Sequence, residues 1–159
     1  MIIDDNKSQI LITLAFNAGQ EIVRIYSKKV TKKLKSDNSP VTNADLKANA
    51  IICKGLKKYF PKVPIVSEEL DNSHIRNKKM FWLVDPLDGT KEFLKGNGEF
   101  TVNIALVINK IPIYGLIYMP AKNKFYFTKN KKSYFAKFDQ KGKLKNIKVI
   151  KVKKRKKNI

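Results

Sequence analysis

Trp82-Leu83-Val84-Asp85-Pro86-Leu87-Asp88-Gly89-Thr90 is the run on which the reading of this chain turns. An apolar, strand-like segment delivers two carboxylates three residues apart, and a Gly-Thr pair that can open a helix follows them. Hard divalent cations take oxygen ligands; Mg²⁺ is held by one or two carboxylates, with carbonyls, waters and substrate phosphate completing its shell. With Pro86 stiffening the turn between the acids, Asp85, the Leu87 carbonyl and Asp88 can converge on one point. The same residues also read as plain turn chemistry, since Pro, Asp and Gly favour local hydrogen bonding and positive φ.

Upstream, Ile65-Val66-Ser67-Glu68-Glu69 is a second short apolar strand that ends in acids. Two strands with carboxylate ends favour one pooled acidic site over two unrelated turns. Glu69 itself reads as a solvated strand-end acid, and Glu68 as the functional one.

Around these runs the apolar periodicity sets the fold class. Ile10, Leu11, Leu14, Ala15, Ala18, Ile22 and Ile25 fall at helical spacing and predict a helix over 8–26. Thr42-Asn43-Ala44-Asp45 reads as a capping box opening a second helix, which Pro61 and Pro64 bracket at its end. The rest is rich in β-branched and aromatic residues, predicting strands near 63–67, 80–85, 100–109, 111–119, 124–128, 133–138 and 146–152. Asn109-Lys110, Ala121-Lys122-Asn123 and Asn130-Lys131 supply the hairpin turns, and Gly89 to Lys95 one or two helical turns. Two helices and a meander predict an α+β fold, the helices packed on a largely antiparallel sheet.

At 159 residues the chain is long enough for one domain with a real core. Its single Cys53 excludes an internal disulfide framework and a Cys-rich zinc site, and it reads as a core side chain of the second helix. No apolar run approaches the length of a membrane-spanning helix. Net charge is +21, yet Lys outnumbers Arg 31 to 3 and is spread along the whole chain. That distribution argues against specific nucleic-acid recognition, which favours the bidentate fork of Arg. Phe125, Tyr126, Phe127, Tyr134, Phe135 and Phe138 interleave with lysines; a stacking platform and an alternating core face give the same pattern, and the core reading is preferred. His74 has no second His or Cys at ligand spacing.

Three stretches together carry a resemblance. Ser39-Pro40-Val41-Thr42-Asn43-Ala44-Asp45, Ser67-Glu68-Glu69 and Trp82 to Phe93 resemble the inositol monophosphatase superfamily, in the same order and spacing. Asp88-Gly89-Thr90-Lys91-Glu92-Phe93, followed by Asn97 to Ala105, is similar to its 3′(2′),5′-bisphosphate nucleotidase branch, and Lys91-Glu92-Phe93 disfavours the inositol monophosphatases proper. The resemblance implies the N-terminal half of the family's αβαβα fold. It implies a lithium-sensitive phosphatase with two or three Mg²⁺ ions, acting on adenosine 3′,5′-bisphosphate and linked to sulfur metabolism. It also assigns roles. Glu68, Asp85, the Leu87 carbonyl and Asp88 match metal ligands, while Glu68 and Thr90 match the pair that orients and deprotonates the attacking water. Asp45 matches an acid near a third metal or water, a role compatible with its place in a capping box. Lys35 aligns with a basic residue near that site. Gly89 and Thr90 present free N–H groups at a helix start, suited to a phosphate and equally to plain helix initiation.

The resemblance also exposes a gap. The family supplies a further metal-binding Asp from a Trp-Asp motif in a C-terminal α/β domain, but Trp82 is the sole Trp here and no acid follows Asp139. The expected organisation is a metal-phosphatase domain over 1–139 and a basic tail over 140–159 running toward that missing domain. Partners expected are a small phosphate monoester, no specific nucleic acid, and either a missing C-terminal half or a second copy. A cytoplasmic protein fits best, with room for peripheral contact at the inner membrane. A non-catalytic basic binding module is the alternative to an enzyme.

Overall fold

Helix α1 (Asp5–Val30) starts where Asp4 caps it: the Lys7 N–H donates to Asp4 Oδ1 at 2.9 Å. Its apolar stripe, Leu11, Ala15, Ala18 and Ile22, is fully buried. The computed structural model describes residues 3–30, 40–75 and 78–151, so Lys35 lies outside the described residues, as does the side chain of His74. Helix α2 (Pro40–Tyr59) begins earlier than the Thr42 capping box predicts. Pro40 suits a first helical position, having no N–H to leave unpaired and a φ already helical. Asp45 therefore sits inside the helix and is not its third residue.

The two helices cover one face of a seven-stranded sheet whose spatial order follows the sequence. The strands are β1 (Ile65–Ser67), β2 (Met80–Asp88), β3 (Thr101–Ile108), β4 (Ile111–Met119), β5 (Lys124–Lys129), β6 (Lys132–Phe138) and β7 (Leu144–Ile150). Only β1 and β2 run parallel; every other neighbouring pair is antiparallel. The α+β expectation holds. The strand expected near 146–152 is β7, so the basic segment beyond Asp139 first contributes a sheet edge. Asn109 and Lys110, and again Asn130 and Lys131, have φ between 50° and 66°, the left-handed pair that two-residue hairpins need.

Alternation along the strands divides the aromatics. Phe125, Phe127 and Phe138 are buried beneath the helices, with Tyr118 and Phe138 rings 5.0 Å apart. Tyr126 and Phe135, paired across β5 and β6 at 5.3 Å, lie on the opposite face. So the core reading holds for one set and not the other. That second face also carries Ile113, and Leu83 and Ile117 around a hollow of about 630 Å³ that reaches Asp85 and Asn103; all three are nearly half exposed.

Close approach explains a glycine in mid-helix. A Cβ on Gly19 would sit 2.7 Å from Tyr118 Cδ1 and 3.0 Å from Pro120 Cβ. Gly19→Ala gains about 1 kcal/mol of helix propensity, but overpacking a buried ring costs about 1–3 kcal/mol. The expected result is a Tm lower by up to about 8 °C in a thermal melt; a higher Tm would contradict this packing. Among the described residues, no helix is long and apolar enough to cross a membrane.

A carboxylate cluster as candidate metal centre

Three neighbouring elements bring acids to one end of the sheet. Ser67 of β1 pairs with Val84 of β2, and the Glu68 N–H donates to the Val84 carbonyl at 3.3 Å, placing Glu68 beside Asp85. The anticipated turn between Asp85 and Asp88 is instead a bulge within β2. The strand runs on to Asp88, and its register against β3 shifts between Asp85↔Asn103 and Asp88↔Thr101. Pro86 has no N–H to give the ladder, which is why the irregularity falls there. Helix α2 contributes Asp45 from above.

The electrostatics show that these acids share one space. Burial pushes the Asp45 carboxyl up to about 7, reinforced by Glu69, then Glu68 and Asp85. Asp85 rises to about 6, first through burial, then through Asp88 and Glu68, with a backbone N–H from Leu87 pulling it partly back. Glu69, expected to be a solvated bystander, is half-buried and near enough to Asp45 to help raise its carboxyl. Five other acids, Asp4, Asp5, Glu21, Glu99 and Asp139, each have a Lys or Arg partner. Among the described residues, none of Asp45, Glu68, Glu69, Asp85 and Asp88 is in an ion pair. Even Lys47, two residues beyond Asp45, reaches Glu21 at 3.4 Å instead.

Beyond the bulge, Gly89 has φ 90° and precedes the short helix α3 (Thr90–Lys95). A Cβ there would lie 2.9 Å from the Glu99 carbonyl oxygen and 3.2 Å from Phe100 Cα, so both the backbone angle and the space require glycine. Phe93 and Phe100, both fully buried, pack at 5.2 Å and hold α3 down. Thr90 is exposed at the helix start, and among the described residues no hydrogen bond joins it to Glu68. Leu87 has a buried side chain, which fixes the backbone that presents its carbonyl.

Asn103 had no place among the expected site residues. Its Nδ2 donates to Asp88 Oδ2 at 3.4 Å, while its Oδ1 is buried without a partner. The signal was a polar side chain at an alternate position of an otherwise apolar strand, Thr101-Val102-Asn103-Ile104, legible only once the pairing to Asp85 is known. Cys53 is buried, as expected of a core side chain.

The sequence profile of the Inositol monophosphatase family matches residues 4–159. The chain belongs to this family. It is 50% identical over 117 residues to a protein of Escherichia coli (strain K12) named 3′(2′),5′-bisphosphate nucleotidase CysQ, covering 71% of this chain and 48% of that one. The protein of the same name from Buchnera aphidicola is 51% identical over 117 residues, covering 71% and 44%. The crystal structure of CysQ from Bacteroides thetaiotaomicron, described as a bacterial member of the inositol monophosphatase family, superposes with a TM-score of 0.74 at 42% identity, over 83% of this chain and 49% of that one. The chain thus spans about half the length of the relatives it matches.

The donor set of the cluster suits a hard divalent cation. It is all oxygen, its charges are uncompensated, and Asp45 Oδ1, Asp85 Oδ1 and Asn103 Oδ1 are buried without partners. Among the described residues, no three His, Cys, Asp or Glu side chains are gathered tightly enough to hold an ion as they stand.

Proposed function

We propose that the chain carries the cation-binding part of a Mg²⁺-dependent phosphomonoesterase that removes the 3′-phosphate of adenosine 3′,5′-bisphosphate, yielding AMP and phosphate. The observation that carries this reading is the cluster of five carboxylates with no ion pair among the described residues, in a chain of net charge +21. The substrate comes from the name borne by the Escherichia coli and Buchnera relatives.

In this reading Glu68, Asp85, the Leu87 carbonyl and Asp88 would hold two or three Mg²⁺ ions. Bound there, the metal would polarise the phosphoryl oxygens and lower the pKa of a bound water. Glu68, with the Thr90 hydroxyl, orients the attacking water and accepts its proton. The backbone N–H groups after Gly89 would receive the phosphate oxygens. Asp45, raised to about 7 by burial and by Glu69, would exchange a proton beside the cluster near neutral pH. Water attacks the phosphorus in line, so no covalent phosphoenzyme forms.

The test is phosphate release from adenosine 3′,5′-bisphosphate and from inositol 1-phosphate, each with Mg²⁺ and with excess chelator. Release from the nucleotide that exceeds release from the inositol phosphate and vanishes with chelator supports the proposal. Release undiminished by chelator sinks it, and a preference for inositol 1-phosphate would move the substrate to the family's other branch.

A further inference from the structure

We infer that Asn49 and Ser67 form a positioning pair that sets the spacing of the cluster acids for cation binding, an inference that rests on the cluster being a cation centre. Asn49 lies one helical turn beyond Asp45 on α2, and Ser67 ends β1 immediately before Glu68 and Glu69. Both are deeply buried, at 7% and 0% exposure. Ser67 Oγ donates to Asn49 Oδ1 at 2.8 Å, and Cys53 Sγ donates to the same oxygen at 3.1 Å. Ser67 Oγ in turn accepts from the Glu69 N–H at 3.4 Å.

The backbone of Ser67 is gripped from the other side. Its N–H donates to Asn72 Oδ1 at 3.1 Å, and Asn72 Nδ2 donates to its carbonyl at 2.7 Å. The Asp45 helix and the Glu68–Glu69 turn are therefore joined by one directional bond at a fixed separation. That bond works against a specific load, because the acids on its two sides repel each other. Apolar side chains would fill the same volume, and replacing both partners of a buried hydrogen bond by apolar groups is often nearly neutral for stability. They would not fix the direction in which Glu68 and Asp45 point. Groups that orient metal ligands through hydrogen bonds are worth about 10–100-fold in metal affinity when removed.

The test is a Mg²⁺ titration followed by Tm on the full chain. The variants are Ser67→Ala, Ser67→Thr and the double variant Asn49→Leu/Ser67→Ala. The double variant is expected to melt close to wild type without cation, yet to need about tenfold more Mg²⁺ for half of the Tm rise. Ser67→Ala alone is expected to shift the titration in the same sense, and Ser67→Thr, which keeps the hydroxyl, to restore it. If the wild type responds to Mg²⁺ and both Ala-containing variants respond at the same concentration, the pair is structural only and the inference falls. If the wild type itself shows no Mg²⁺ response, the cation centre falls and this inference with it.

Discussion

With a chelator present, Asp85→Asn is expected to melt above the wild-type chain at neutral pH, whereas Mg²⁺ is expected to raise the Tm of the wild type and leave the variant unmoved. The first half follows from the charge balance of the cluster. Asp85 is pushed from 3.8 to about 6 by burial and by Asp88 and Glu68, so its ionised form is the one that the fold disfavours. A carboxyl whose folded pKa is raised binds protons more tightly folded than unfolded. Its contribution to stability is complete below about pH 3.8 and is lost as the pH rises through about 6. The advantage of Asp85→Asn should therefore open between about pH 4 and pH 6 and hold at full size above. Asp45, raised to about 7, extends the same loss of wild-type stability by a further unit. We set the gain for Asp85→Asn at about 1 kcal/mol, well under the full shift, because solvent screens a half-buried group. At this chain length that is about 2–4 °C in Tm.

The second half follows from mass action. A cation that binds only the folded chain stabilises it in proportion to the logarithm of its concentration over its dissociation constant. Asparagine in place of Asp85 removes a full charge from the ligand set. Phosphate release, where the chain shows it, should fall by at least about 100-fold, beyond what loss of an outer partner costs. An Asp85→Asn chain that melts below wild type in chelator would mean that Asp85 is structurally supported and that the acids do not act as one cluster.

The sequence carried the parts of this architecture that depend on local periodicity. The helical stripe from Leu11 to Ile25, the alternation along β3 to β6 and the Asn-Lys hairpins all report contacts within a few residues of themselves. The acids Glu68, Asp85 and Asp88 were legible for a related reason: each ends or punctuates an apolar strand, where a carboxylate stands out from its neighbours. What stayed hidden depends on pairings between distant elements. Asn103 becomes a neighbour of Asp85 and Asp88 only through the β2–β3 register. Glu69 looked solvated because nothing local reveals that α2 brings Asp45 against it. Asn49 read as one polar residue on a helix, and its role appears only when β1 delivers Ser67. Thr42-Asn43-Ala44-Asp45 misled in the opposite way, since a good capping signature was overridden by Pro40 two residues earlier.

Phe100→Ala is expected to be the most destabilising single change near the site. Phe100 is fully buried at the entry to β3, and its ring meets Tyr26 of α1 at 5.0 Å and Phe93 of α3 at 5.2 Å. Its backbone forms one wall of the slot that admits Gly89. Truncation removes the ring from two helices at once, and the left-handed turn at Gly89 cannot collapse into the space without giving up its own geometry. Costs for such large-to-small changes run to about 3–5 kcal/mol. For a chain of 159 residues this lowers Tm by roughly 6–20 °C. Leu46→Ala serves as the control, since Leu46 is 49% exposed on α2 and its loss should change stability by no more than about 0.5 kcal/mol. Because Phe100 also anchors α3, the variant should show faster amide exchange at Thr90 to Lys95 than in the body of β3. Uniform exchange across both segments would mean that α3 is held by something other than this aromatic trio.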